Sequence, residues 1–71
     1  MTSKDLKEKF PKDTEFSLTT ERGDTFRFRS TGVVSGNFLI CKDRDCTLGE
    51  NLDEVYVHTE DFDNCTLTME N

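Results

Sequence analysis

The sequence predicts a mainly β domain of the α+β kind: a small antiparallel five-stranded barrel or sheet, SH3-like in architecture, behind a short N-terminal helix. Three observations carry this. Apolar and polar residues alternate in several short runs, the period of a half-buried strand. Clusters of Gly, Asn, Asp and Ser separate those runs at the ~8–12-residue spacing of small barrels and sandwiches. The helical pattern is confined to the start of the chain, where Pro11 stops it.

Thr2 or Ser3 can cap a helix over 3–10, with Asp5 three residues after Thr2 as a capping box. Leu6 and Phe10 sit four apart and share one face. Two turns are not stable alone, so that face must dock on an end or a face of the sheet. An open sheet with one helix packed across it is the alternative to a barrel plugged at one end.

The first strand spans 14–19, with Phe16 and Leu18 on one side. Gly23 supplies the turn into the second strand, 25–31, where Phe26 and Phe28 point inward and Arg27 and Arg29 outward. Phe38-Leu39-Ile40-Cys41 is a continuous apolar run, which predicts a strand over 37–42 covered on both faces. Residues 42–53 read as a polar loop, 54–58 as a strand around Val55 and Val57, and 60–64 as an acidic turn. A last strand over 65–69 closes the sheet. The expected core is Phe16, Leu18, Phe26, Phe28, Phe38, Ile40, Val55, Val57 and Leu67.

Seventy-one residues suit one domain, with the helix in 1–12 and the sheet in 13–71. Such a chain buries a small core worth on the order of a few kcal/mol, and a deep substrate cavity would consume it. Function is therefore expected on the surface, without enzymatic activity. Charged residues outnumber hydrophobic ones, a balance that approaches disorder, but six Phe and one Tyr oppose that. The opening Met-Thr-Ser-Lys-Asp is too polar for a signal peptide, and no apolar run approaches the ~20 residues of a membrane span. Cys41, Cys46 and Cys65 are odd in number and are expected as free thiols in a cytoplasmic protein.

The formal charge is −6, and residues 32–71 carry −7 of charge against a net basic start. A net-acidic surface repels phosphate backbones and favours basic partners. Asp43, Asp45, Glu50, Asp53, Glu54, Glu60, Asp61 and Asp63 are the candidate partner-binding residues. Within ~8 Å of one another at physiological salt, they would share one field. The simplest function is a small non-enzymatic binding or regulatory protein that docks on a basic surface of a larger protein, including one that handles nucleic acid. Small acidic inhibitors, nucleic-acid mimics among them, are similar to this chain in size and charge only. Solubility is the plainer role of such a surface.

Three other constellations compete. Arg22, Arg27 and Arg29 form a ridge that would suit a small-barrel nucleic-acid-binding module, but the alternation sends the aromatic residues to the opposite face from Arg27 and Arg29. Cross-strand pairing of an arginine with Glu15 or another acid is the plainer expectation. Cys41, Cys46, His58 and Cys65 would make a Cys3His zinc set and a zinc-stabilised structural module, but His58 and Cys65 are loosely spaced and no close CxxC pair is present. Asp43 with Asp45, and Asp61 with Asp63, lack the Gly and distal Glu of a calcium loop. No cofactor and no metal are expected. The sequence does not give the oligomeric state.

Overall fold

The computed structural model describes residues 1–45 and 54–70. The elements in order are α1 (Ser3–Lys9), β1 (Glu15–Thr19), β2 (Thr25–Ser35), β3 (Phe38–Asp43), β4 (Glu54–His58), α2 (Thr59–Asn64) and β5 (Thr66–Met69). The strands form one antiparallel sheet in the order β4-β3-β2-β1-β5. β4 and β5 are the two edges and do not pair, so the sheet is open and the expected barrel is not closed. Strands β1 to β4 follow one another as a meander. β5 returns to pair with β1 after α2.

The capping box of α1 is formed: the Thr2 hydroxyl accepts the Asp5 N–H at 3.2 Å, and the Asp5 carboxylate accepts the Thr2 N–H at 3.0 Å. Leu6 and Phe10 are fully buried against the sheet. Residues 60–64, expected as an acidic turn, belong to the helix α2 instead. Its cap is a histidine. His58 Nδ1 accepts the Glu60 N–H, and Asp61 accepts the His58 N–H, both at 3.0 Å.

The core lies between the helices and one face of the sheet. It consists of Leu6, Phe10, Phe16, Leu18, Leu39, Cys41, Val57 and Phe62. Three phenylalanine rings make its centre, with Phe10–Phe16, Phe10–Phe62 and Phe16–Phe62 centroids 4.7, 4.9 and 5.6 Å apart, and Phe28 packs on its rim with its centroid 5.5 Å from that of Phe16. Three expected core residues behave otherwise. Phe26 is 50% exposed, Phe38 is 38% exposed and Ile40 is half-buried. Phe28, Val55 and Leu67 are also half-buried. On the helix-bearing face the reason is reach. Six- and seven-residue helices are only about 10 Å long, whereas five strands at ~4.8 Å spacing span almost twice that. Phe38 and Ile40 lie on the other face: both helices pack on the side of Leu39 and Cys41, so the apolar run of β3 is covered on that side only.

Two glycines shape β2. Gly36, with φ 59°, is the first of the two residues that join β2 to β3, as a type II′ hairpin requires. Gly32, with φ 79°, lies in an irregularity between Ser30 and Val33, where two residues of β2 have no partner on β3. A Cβ there would also fall 2.9 Å from the Lys12 backbone nitrogen. Beside it, buried Ser30 donates its hydroxyl to the Phe10 carbonyl at 2.7 Å and accepts the Gly32 N–H at 2.9 Å.

Candidate functional site

Strand parity sorts the side chains. Phe16, Leu18, Phe26, Phe28, Leu39, Cys41, Asp43, Val55 and Val57 share the face that carries the helices. Glu15, Arg27, Arg29, Val33, Phe38, Ile40, Tyr56 and His58 lie on the open face.

Where the helices fall short on the first face, the described residues leave a hollow of about 360 Å³. Leu18, Phe26, Phe28 and Val55 supply apolar lining, and Asp43 and Asp61 contribute carboxylates. Cys65 also reaches it. Each carboxylate is anchored through one oxygen: Asp43 Oδ1 accepts the Asp45 N–H at 2.9 Å, and Asp61 Oδ2 accepts the His58 N–H. Among the described residues no further bond to the other oxygen of either carboxylate is seen. Apolar lining with a few placed polar groups is the usual make-up of a binding hollow.

Two of the other candidate acids have cationic partners of their own. Asp45 is held by Arg27, whose Nε donates at 2.9 Å and whose Nη2 also bonds the same oxygen. Hydrogen bonding to Arg27 holds the Asp45 carboxyl below the ordinary carboxylate value. Asp63 pairs with the Met1 ammonium at 2.9 Å. Glu54 and Glu60 are exposed on β4 and α2. Glu50 and Asp53 lie outside the described residues.

The arginine ridge is compensated. Besides the Arg27–Asp45 pair, Arg29 lies 3.9 Å from Glu15, and Arg44 bridges Glu15 at 3.0 Å and Glu70 at 2.6 Å. Arg22 is exposed on the β1–β2 turn. The cross-strand pairing expected of Arg29 and Glu15 is present in the register. Arg44, which nothing in its loop context singled out, has the least exposed side chain of the three paired arginines.

The zinc set is scattered. Cys41 is buried in the core, and burial pushes its thiol up to about 12. His58 sits on the opposite face, its ring edge-on to Phe38 at 4.8 Å and its Nδ1 engaged by α2. Cys65 is half-buried at the end of α2, and Cys46 lies outside the described residues. Among the described residues no three His, Cys, Asp or Glu side chains gather as a metal site. No helix among them is long and apolar enough to cross a membrane. Cys41 and His58 on opposite faces also cannot work as a nucleophile and its base.

Sequence reasoning missed the hollow because it placed Phe26 and Phe28 in the core. The signal available was the shortness of the helical pattern, which limits what a helix can cover. The chain matches no family model, no curated protein and no solved structure.

Proposed function

We propose that this chain is a small non-enzymatic binding protein, of regulatory or inhibitory kind, that docks on a basic surface of a larger protein. Its grip is the hollow, which takes an apolar side chain on Phe26 and Phe28 while Asp43 and Asp61 meet a neighbouring Lys or Arg. The observation that carries this is the pairing of two part-free carboxylates with exposed aromatic surface in one concavity. The net charge of −6 adds long-range attraction for such a partner. Proteins that handle nucleic acid fit the description, since their grooves are basic. A cytoplasmic setting accords with the free thiols of Cys41 and Cys65.

The test is an amide-shift titration of the labelled protein against a panel of amphipathic basic peptides, with single-stranded oligonucleotides as a second arm. Peptide binding should move the amides of Phe26, Asp43 and Asp61 and weaken as salt rises. Phe26→Ser with Asp43→Asn should abolish it, while Arg22→Ala leaves it intact. Oligonucleotide binding at micromolar strength that disappears with Arg27→Ala and Arg29→Ala would replace this function with the nucleic-acid-binding alternative. Peptides that move only open-face amides would also refute it.

A further inference from the structure

The edge strand β4 has a register that fits itself. Among the described residues β4 pairs only with β3. The Thr59 N–H donates to the Asn37 carbonyl at 3.0 Å, which fixes the phase of that ladder. Residues 55 and 57 are then in phase to bond β3, and the N–H and C=O groups of Glu54, Tyr56 and His58 point away from it. The two groups of His58 are already engaged, because Asp61 accepts its N–H and its carbonyl, as the cap of α2, accepts the first helical N–H. Tyr56 stands at the middle of the five-residue strand, is 59% exposed, and packs edge-on beside the half-exposed Phe38 ring at 6.1 Å.

We propose that two copies of this chain associate through their β4 edges as an antiparallel pair with its two-fold axis at Tyr56. In that register Tyr56 faces Tyr56 of the second copy and the two exchange both backbone hydrogen bonds. Glu54 faces His58 of the second copy, where the contact is between side chains, since the His58 backbone is engaged by α2. The side chains complement each other as well. His58 Nδ1 accepts from α2, so the neutral ring carries its proton on Nε2, a donor for the Glu54 carboxylate. Val55 faces Val57 on the helix-bearing side. The result is one continuous ten-stranded sheet, with the two Tyr56 rings adjacent on the open face.

Self-pairing differs from docking on a basic partner in its response to salt. Each copy carries −6, so salt screens their mutual repulsion and strengthens the dimer, whereas it weakens attraction to a basic surface. The two proposals therefore stand or fall separately.

Analytical ultracentrifugation and native amide exchange on the full chain test the dimer. Wild type should reach twice the 8.2 kDa chain mass with rising concentration, at lower concentration in high salt. Exchange at the Tyr56 amide should slow by about tenfold or more across the same range, with the Val57 amide protected throughout. Tyr56→Lys, which places two ammonium groups at the axis, should stay monomeric with its circular dichroism unchanged. Tyr56→Phe should dimerise as wild type does. If Tyr56→Lys does not fold, the wild-type exchange pattern decides alone. A chain that stays monomeric up to ~1 mM, or one that dimerises with the Tyr56 amide unprotected, would overturn the proposal.

Discussion

Ser30→Ala tests the joint between helix and sheet. Ser30 is 2% exposed, and its hydroxyl satisfies the Phe10 carbonyl at the end of α1 and the Gly32 N–H in the β2 irregularity. Alanine fits the space but leaves both backbone groups without that partner. A buried orphan costs about 1–3 kcal/mol, and the half-buried Gly32 amide recovers part of its cost from water. The sum is about 2–3 kcal/mol. At ~4–8 °C per kcal/mol for a domain of this size, the melting temperature should fall by roughly 10–20 °C. Thermal and urea unfolding measure it, with an unchanged urea m-value expected. Ser35→Ala, at an exposed strand end, is the control and should stay within about 0.5 kcal/mol. A Ser30→Ala shift under ~3 °C would refute the idea that this hydroxyl joins α1 to the sheet.

Three further outcomes are expected. Phe16→Ala, in the middle of the ring cluster, should cost about 3–5 kcal/mol, while Phe26→Ala, half exposed, should cost about 1 kcal/mol; equal losses in urea unfolding would contradict the burial pattern. Cys41 should resist alkylation in the native protein at pH 8, because burial raises its thiol to about 12, and should label only on unfolding. Native mass spectrometry of iodoacetamide-treated protein checks this, with half-buried Cys65 as the faster internal reference. The third concerns acid. The backbone hydrogen bond from Thr2 holds Asp5 below its ordinary 3.8, so its stabilisation is present above that pH and is lost as pH falls through the lowered folded value. Asp5→Asn should therefore melt below wild type at pH 5 and converge with it at pH 2. A constant gap between the two melting curves would contradict the cap.

The strands were legible because alternation reports which side of a strand is apolar. It does not report whether that side is covered, and Phe26 and Phe38 are the result. Nor does it name a strand's neighbour. Turn residues such as Gly23 and Gly36 announce hairpins, but nothing local tells β5 to lie beside β1 rather than to close on β4. The helix α2 was obscured because its cap is His58 rather than Ser or Thr, and because Phe62 stands alone among acids. Of the candidate site, the sequence marked Asp43 and Asp61 as acids worth testing. Separating them from Asp45 and Asp63 needed the partners Arg27 and Met1, which lie far away in the chain.

The return of β5 to the opposite edge governs how the chain assembles. β1 to β3 are joined by tight turns, so their hairpins can close early and locally. β5 pairs with residues about fifty positions upstream, Met69 with Phe16 and Leu67 with Leu18. That pairing carries a large loop-closure cost, offset in part by Phe62 packing on Phe10 and Phe16. The β1–β5 seam is thus expected to form late, and amide exchange along β5 faster than along β2 would be its mark. While it is open, β1 presents a bare strand flanked by exposed phenylalanine. A second chain's β5 offers the same residues to that gap, so strand exchange at this seam is the misassembly to be expected when the chain folds at high concentration.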